Sequence, residues 1–338
     1  MPTINEKKSS VLYVLEILKK FTDKDHSLTY AMISEKLISL YGIEIERKTI
    51  ARDIDILLDK GYDIVKRGNY GVYLGLRDFE DGELLYLIDA LYSSKSMPTR
   101  YVKDLVDKLT SNYSIYHKKR FSHLEKLEVA NRSDNKQIFY TIEILNEAIE
   151  QGKKVEFQYN SYGLDKKLKP KFEGRYYKIN PYYMVNNNGK YYLICNHDRY
   201  DNIANYKIEN ISNIKIVEEQ IKPIFSLPGQ NKFSIKDYMK EHIYMLAGHS
   251  VNAILKVDNA DRVNDIVDWF GDNARIFEKQ DQIYVELLVN EDALIYWALQ
   301  YGKKVEIIKP AETRKKMVET LEEMLQKYKS CTGNSDIR

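Results

Sequence analysis

The chain has few of the residues that cross-link a protein or anchor it in a membrane. Its 338 residues include two cysteines, Cys195 in an apolar strand pattern and Cys331 in a polar tail. This excludes a disulfide framework and a cysteine-based zinc cluster, and it indicates a reducing environment. The sequence has no apolar signal core at its N-terminus and no run near the ~18 apolar residues that span a bilayer. We therefore expect a cytoplasmic protein without membrane contact.

The sequence also lacks the short motifs of common catalytic sites. It contains no glycine-rich phosphate loop of the Walker kind, no Gly-x-Ser-x-Gly elbow and no His-Glu-x-x-His. Its histidines have no metal-ligand spacing; they are His26, His117, His123, His197, His242 and His249. We therefore predict that the protein is not an enzyme and that it has no cofactor and no metal site.

The overall composition is that of an ordinary folded protein, with 43% hydrophobic and 30% charged residues. A chain of this length forms about two or three domains. The formal net charge of +2 neither requires nor excludes a nucleic-acid partner, because a DNA-binding surface can be local while acidic helices elsewhere cancel its charge. Net charge therefore does not decide the function.

The most informative segment runs from Glu46 to Gly61. On a helix, Ile50, Ile54, Leu57 and Leu58 share one stripe, whereas Lys48, Arg52 and Asp55 fall on the opposite side. Two apolar helical patterns precede it, at residues 11–21 and at 33–40 after a candidate Thr29 cap. After Gly61, which we expect to end the helix in the left-handed conformation, residues 62–67 and 70–74 indicate two strands around a Gly68-Asn69 turn.

The run Arg47-Lys48-Thr49-Ile50-Ala51-Arg52-Asp53-Ile54 resembles the recognition helix of DeoR-type winged helix-turn-helix regulators. The resemblance implies that Arg47, Lys48, Thr49 and Arg52 meet the major groove of duplex DNA, and that Lys66, Arg67 and Tyr70 of the wing contact the backbone. Glu46 departs from the Ser or Thr that the family usually has at this position. The alternative is that Lys48 and Arg52 belong to a solvated helix face, which is the common fate of such residues.

The apolar residues between Asp78 and Tyr116 predict two helices, interrupted near Met97-Pro98. They form a connector whose apolar face supports either a dimer or internal packing. The run His117-Lys118-Lys119-Arg120 is interpreted as a solvated helix end, with an additional phosphate contact as the alternative.

The middle of the chain predicts a helix at 139–151, followed by strands at 154–159, 176–185, 190–196 and 203–208. The segments Asn180-Pro181-Tyr182-Tyr183-Met184-Val185, Lys190-Tyr191-Tyr192-Leu193-Ile194-Cys195, His197-Asp198-Arg199 and Tyr206-Lys207-Ile208-Glu209-Asn210-Ile211 are similar in order and spacing to the WYL domain. This resemblance implies an Sm-like, SH3-type barrel that senses a nucleic acid or nucleotide.

Side chains near the strand ends suit an anionic ligand that carries a ring. The candidate ligand residues are Tyr159, Tyr182, His197, Arg199 and Lys207. Lys207 and Asn210 stand where the family commonly has Arg, and Lys lacks the bidentate fork. The alternative for His197 and Arg199 is that they only decorate a turn.

The last third resembles the bridge and the C-terminal extension (WCX) of WYL proteins. Its pattern predicts the order βαββαβα, which is a ferredoxin-like domain with one added helix. The resemblance implies dimer contact and regulation of the barrel. In the final helix Arg314, Lys315 and Lys316 balance Glu319, Glu322 and Glu323, which indicates a solvated face.

Taken together, the patterns predict an α+β multidomain protein. The predicted domains are a winged helix-turn-helix at 1–77, a helical connector at 78–135, a small WYL barrel at 136–220, a bridge at 221–250 and a ferredoxin-like domain at 251–330. The leading hypothesis is a ligand-responsive, homodimeric transcription factor. Two rivals remain open: a nucleic-acid sensor whose winged module binds protein, and a nucleotide-acting enzyme with its active site in the barrel.

Overall fold

The backbone of the computed structural model, which describes residues 9–121, 132–133 and 135–330, divides into two units, Met1–Asp134 and Asn135–Arg338. His123 and Cys331 lie outside the described residues, as does part of the predicted connector. Within the described ranges, no helix is both long and apolar enough to cross a lipid bilayer.

Three helices open the first unit: α1 (Ser10–Phe21), α2 (Tyr30–Tyr41) and α3 (Arg47–Asp59). As expected, Thr29 caps α2, because its side chain accepts a hydrogen bond from the backbone N–H of Met32. The core of the three helices is apolar and fully enclosed; its members on the helices are Val14, Leu15, Ile17, Leu18, Ile33, Leu37, Ile50, Ile54 and Leu57. Leu58, which we expected in this stripe, is 36% exposed.

A short hairpin follows α3, with β1 (Ile64–Lys66) antiparallel to β2 (Val72–Leu74). Both strands are shorter than predicted, because Gly68–Tyr70 forms a 3-10 turn instead of the expected two-residue turn. Gly71 has a φ of 99°, and a Cβ at this position would lie 2.2 Å from the carbonyl oxygen of Leu28. Glycine at this position therefore allows β2 to pack against Leu28, which pairs with Val72.

The connector contains α4 (Asp81–Ser93) and α5 (Thr99–Leu109), separated at Met97-Pro98 as predicted, and a further helix, α6 (Ile115–Phe121), that was not predicted. These helices have their own apolar core; its buried members are Leu84, Ile88, Tyr92, Val102, Val106, Tyr113 and Phe121. The interpretation of His117 as part of a solvated helix end was wrong, since this side chain is buried, whereas Lys118, Lys119 and Arg120 are exposed.

The second unit begins with α7 (Ile138–Gln151), which precedes an antiparallel sheet of six strands. The strands are β3 (Lys153–Tyr162), β4 (Leu168–Pro170), β5 (Tyr176–Asn187), β6 (Lys190–Asn196), β7 (Ile203–Lys207) and β8 (Ile211–Gln220). Their order is β4-β3-β5-β6-β7, and β8 also pairs with β3. The sequence pattern did not identify β4 or β8. Closure of this sheet into a barrel stays a prediction.

A short helix, α8 (Ile235–Glu241), leads to the C-terminal region, where the elements follow the predicted order βαββαβα. They are β9 (Ser250–Val257), α9 (Arg262–Phe270), β10 (Arg275–Lys279), β11 (Gln282–Asn290), α10 (Glu291–Tyr301), β12 (Val305–Lys309) and α11 (Ala311–Ser330). The sheet order is β10-β11-β9-β12, and every pairing is antiparallel. Residues of α9 and α10, including Phe270 and Trp297, pack on one face of this sheet.

Candidate nucleic-acid interface and ligand surface

The outer side of α3 is positively charged. Arg47, Lys48 and Arg52 are exposed, Thr49 is half-buried, and Ile50 and its apolar neighbours face the core. The side chains of Arg47 and Lys48 make no hydrogen bond and no ion pair with the residues that the structure describes. The helix begins after Glu46, whose side chain makes no capping hydrogen bond. Cationic groups on this side are therefore available to an external partner.

Asp53 lies on the opposite side of α3 and is 3% exposed. The Ser10 hydroxyl, at the start of α1, donates a hydrogen bond of 2.5 Å to its carboxylate. Burial raises the pKa of Asp53, although the Ser10 hydrogen bond and the charge of Arg52 act in the other direction. Asp53, the one acidic residue of the run from Arg47 to Ile54, is thus structural. Its spacing from Ile50, three residues earlier, could have revealed this from the sequence.

The hairpin places the predicted wing residues beside α3. Lys66 Nζ lies 2.8 Å from Asp55 Oδ1 on α3, and this hydrogen bond raises the pKa of Lys66. The Arg67 guanidinium lies 4.8 Å from the centroid of the Tyr73 ring, and Tyr70 is 79% exposed. We call the outer side of α3 together with the hairpin the α3–wing surface; its members are Arg47, Lys48, Thr49, Arg52, Lys66, Arg67 and Tyr70.

A buried polar network joins the three-helix core to the connector. Asp23, after α1, is 1% exposed, and its carboxylate accepts a hydrogen bond of 2.8 Å from the Ser114 hydroxyl. His26 Nδ1 lies 2.7 Å and His117 Nδ1 lies 3.4 Å from the same carboxylate. Burial disfavours the charged form, yet the hydrogen bonds from His26 and Ser114 hold the pKa of Asp23 below its ordinary value.

Arg77 makes a second connection in this region. Its guanidinium donates to the backbone carbonyl oxygens of Lys19, Thr22 and Asn112, at 3.2, 2.7 and 2.6 Å. These contacts join the end of α1 to the loop that follows α5. The sequence pattern singled out neither Asp23 nor Arg77, because their partners are distant in the chain.

The structure does not bring the five residues that were predicted to bind a ligand into one cluster. Tyr182 is 7% exposed, it packs with Ile194 and Leu227, and its hydroxyl donates to the carbonyl oxygen of Lys222 at 2.7 Å. A ring in this position belongs to the apolar core. The predicted stacking role of Tyr182 is therefore not supported.

Lys207 and Tyr206, neighbours on β7, point to opposite sides of the sheet. Lys207 pairs with Tyr192 and Tyr206 pairs with Leu193 across β6, and directly opposed residues share a face. Lys207 contacts another of the predicted ligand residues only through its backbone N–H, which donates a hydrogen bond to the Tyr159 hydroxyl at 3.3 Å. The Lys207 ammonium is therefore not on the side of the sheet that carries Tyr206.

Aromatic rings cluster on the side of β7 that carries Tyr206. Its ring centroid lies 4.9 Å from that of Tyr159, 6.0 Å from that of Tyr177 and 5.4 Å from that of the buried Phe157. Burial raises the pKa of the Tyr206 hydroxyl. The guanidinium of Arg175, an exposed residue, lies 5.9 Å from the centroid of the Tyr177 ring. A cation therefore stands beside this aromatic group.

The turn after β6 contributes two further basic side chains. The backbone N–H of Arg199 donates to His197 Nδ1 at 3.3 Å. Burial lowers the pKa of His197, and the positive charges of Arg199 and Arg175 lower it further, whereas the negative charge of Asp198 acts in the other direction. We call Arg175, Tyr177, His197, Arg199 and Tyr206 the cation–aromatic surface. Arg175, Tyr177 and Tyr206 were missed, although Tyr206 stands inside the motif that carried the WYL resemblance.

Comparison with protein families identifies two domains in this chain. A WYL domain is matched over residues 140–216, which contain the cation–aromatic surface, and a WCX domain is matched over residues 250–325. The chain therefore contains a WYL domain and a WCX domain.

The individual proteins that are similar to this chain have low sequence identity to it. The chain is 23% identical over 331 residues to the uncharacterized HTH-type transcriptional regulator YobV of Bacillus subtilis (strain 168), covering 90% of this chain and 98% of that protein. Among solved structures, it is similar to proteasome accessory factor B/C (PafBC) of Arthrobacter aurescens, at 14% identity, a TM-score of 0.29, 96% coverage of this chain and 49% of the other. The chain thus spans about half the length of PafBC. A CRISPR Cas-related protein gives 16% identity, a TM-score of 0.39, and coverages of 96% and 85%.

Proposed function

We propose that this protein is a transcriptional regulator that binds duplex DNA through the α3–wing surface and responds to an anionic ligand at the cation–aromatic surface of its WYL domain. The observation that carries the proposal is the division of α3 into two sides. Its apolar residues and Asp53 are buried, while Arg47, Lys48 and Arg52 are exposed. The relative YobV, named an HTH-type transcriptional regulator, supports this reading.

The chemistry of the two surfaces suits different parts of a nucleic acid. Arginine on an exposed helix can donate two hydrogen bonds to a guanine in the major groove, while Lys66 and Arg67 on the hairpin suit phosphate. At the cation–aromatic surface, Arg175 and Arg199 suit a phosphate, and Tyr177 and Tyr206 suit a ring. This second set replaces the predicted Tyr182 and Lys207 with Tyr177 and Tyr206, whose ring centroids lie 6.0 Å apart, while Tyr159 contributes through its contact with Tyr206.

We further propose that the regulator works as a homodimer, with the two α3 helices in major grooves about 34 Å apart. A ligand that prefers one arrangement of the dimer would change operator affinity by a coupling of about 1–3 kcal/mol. The domain limits at residues 1–77, 78–135, 136–220, 221–250 and 251–330 belong to the same proposal. The Asp23 network and Arg77 hold the three-helix core to the connector within the first unit.

Operator binding tests the function directly. The site is first located by footprinting purified full-length protein on genomic DNA, and affinity is then measured by fluorescence anisotropy over a salt series. We expect Arg52→Ala to weaken operator binding by about 1–3 kcal/mol if Arg52 contacts a base. Arg100→Ala is the matched control, because Arg100 is 88% exposed on α5 and is not a member of the α3–wing surface. Equal affinity of both variants and the natural protein would contradict the proposal.

A further inference from the structure

Among the residues that the structure describes, helices pack on only one of the two faces of the WCX sheet. Leu255, Val285 and Ile307 are buried in the core beneath α9 and α10. Since side chains alternate along a strand, the intervening residues point to the other side. We call this side the open face; its members from β9 to β12 include Ile254, Lys256, Arg275, Phe277, Lys279, Gln282, Tyr284, Glu286 and Glu306.

Two aromatic rings stand side by side on the open face. Phe277 is directly opposite Tyr284 in the register of β10 and β11, and both side chains are partly exposed. Their ring centroids are 5.7 Å apart and their planes differ by 19°, so the rings are stacked. A stacked pair on the outside of a sheet offers a flat apolar area to which a further ring can add.

The charges around these rings are mainly positive. Arg275, whose guanidinium lies 5.9 Å from the Phe277 ring centroid, pairs with Glu286 at 3.5 Å. Glu306 pairs with Arg314 at 2.6 Å. Both glutamates are therefore neutralised by arginines.

Two lysines stand next to the rings. Lys256 is opposite Tyr284 on β9, and Lys279 follows Phe277 by two residues on β10. Neither lysine has an acidic partner among the residues that the structure describes. The open face therefore presents stacked rings between two unpaired ammonium groups, which is complementary to a flexible polyanion that carries flat bases.

We propose that the open face of the WCX domain binds single-stranded nucleic acid, with bases stacked on Phe277 and Tyr284 and phosphates near Lys256 and Lys279. Single-strand binding proteins use this combination of aromatic platform and basic groove, and four-stranded sheets that bind RNA stack bases on their rings. A duplex is excluded, since its base faces are already stacked on each other. The inference does not depend on the proposed function, because neither the α3–wing surface nor the cation–aromatic surface takes part.

The test uses full-length protein and a fluorescein-labelled oligothymidylate of 12 nucleotides, with affinity measured by anisotropy. We expect Phe277→Ala and Tyr284→Ala each to weaken binding by roughly five- to 150-fold, which corresponds to the loss of one stacked base. Tyr284→Phe keeps the ring and should retain affinity. Lys256→Ala and Lys279→Ala should each reduce the salt slope by about 0.7.

Two controls separate binding from folding. Tyr296→Ala removes an aromatic side chain that is 60% exposed on α10, and it should leave affinity unchanged. Trp269 and Trp297, the two tryptophans of the chain, both lie in this domain, so unchanged tryptophan emission shows that a variant has kept its fold.

Photocrosslinking with an oligonucleotide that contains 5-iodouracil locates the binding site. We expect cross-links to peptides that contain Phe277 or Tyr284, and we expect them to persist in Arg52→Ala and in the Arg175→Ala, Arg199→Ala double variant. Cross-links confined to the WYL domain, or full affinity in a folded Phe277→Ala, Tyr284→Ala protein, would overturn the inference. A change of oligomeric mass in that variant without loss of oligothymidylate binding would assign the open face to self-association instead.

Discussion

Lys66 on the hairpin and Asp55 on α3 form an ion pair of 2.8 Å within the proposed DNA-binding surface. Both side chains are largely exposed, so the pair itself adds little to the stability of the fold. The pair instead affects the binding of DNA. Asp55 holds the Lys66 ammonium group that the wing would offer to a phosphate, and its carboxylate places a negative charge beside the duplex. The pair is expected to restrain non-specific affinity.

Replacing this carboxylate should strengthen DNA binding. Asp55→Asn frees Lys66 and removes one charge that repels phosphate, so we expect tighter binding to all duplexes and a salt slope steeper by about 1. Lys66→Ala should have the opposite effect, with weaker binding on every sequence and a flatter slope. Anisotropy titrations of operator and unrelated duplexes over a salt series measure both quantities. Asp104→Asn, which breaks the exposed Arg100 pair on α5, is the control. An unchanged slope in Asp55→Asn would contradict the assigned surface.

The buried Asp53 gives a stability prediction with a defined pH dependence. Because burial raises the pKa of Asp53, the folded state holds a proton more tightly than the unfolded state, and the stability linked to this proton falls as pH rises through the folded pKa. Asp53→Asn keeps an acceptor for Ser10 without the charge. We therefore expect the variant to be more stable than the natural protein at pH 7, with the difference shrinking toward pH 4.

Hydrogen exchange of the amides in α1 and α3 measures this effect locally, which avoids treating a multidomain chain as two-state. Ser10→Ala serves as the converse variant, because it leaves the Asp53 carboxylate buried without its hydroxyl donor. We expect Ser10→Ala to reduce protection by about 1–3 kcal/mol. Identical protection in Asp53→Asn and the natural protein at both pH values would show that the carboxylate carries no ionisation cost.

Asp23 should show the opposite pH dependence. The pKa of Asp23 is lowered in the folded state. Its contribution to the free energy of unfolding is therefore present above the ordinary aspartate pKa near 3.9 and is lost as pH falls through the folded pKa. At pH 7, Asp23→Asn should reduce protection of α1 and α6 by about 1–3 kcal/mol, and this loss should disappear in acid. Asp25→Asn breaks only the exposed pair with Arg120 and should cost less than about 1 kcal/mol. A loss that is independent of pH would contradict the assignment.

The sequence predicted α3 well because local periodicity is enough to divide its residues between core and solvent. Ile50, Ile54 and Leu57 are buried as their spacing indicates. Leu58 was misplaced because it lies at the edge of the stripe, where a small rotation of the helix decides its exposure. Asp53 was taken as a motif residue, although its position on the same stripe already indicated burial.

The ligand site was predicted less well, because the side of a sheet to which a residue points depends on register. Lys207 and Tyr206 are neighbours in the motif but lie on opposite sides, and this is fixed by pairing with β6. Tyr182 is the extra residue of a bulge between Pro181 and Tyr183, which changes the alternation along β5 and has no signal in the sequence. His117 was missed for a related reason, since its partners Asp23 and Asp81 come from distant segments.

Ligand binding at the cation–aromatic surface should strengthen in mild acid. The pKa of His197 is lowered by burial and by Arg199 and Arg175, so this imidazole is neutral at pH 7 and gains its charge only below its ordinary value of about 6.5. The dinucleoside phosphodiester TpT keeps one negative charge over this range and is a suitable probe. Calorimetry from pH 7.5 to 5 should show affinity rising as pH falls, and His197→Gln should abolish the rise.

Arg175→Ala should weaken binding at every pH while moving the rise to higher pH, because the imidazole then loses a repelling neighbour. Lys207→Ala, on the other side of the sheet, should change neither feature. Loss of binding in Lys207→Ala together with full binding in Arg175→Ala would reverse the assignment of the ligand to this side.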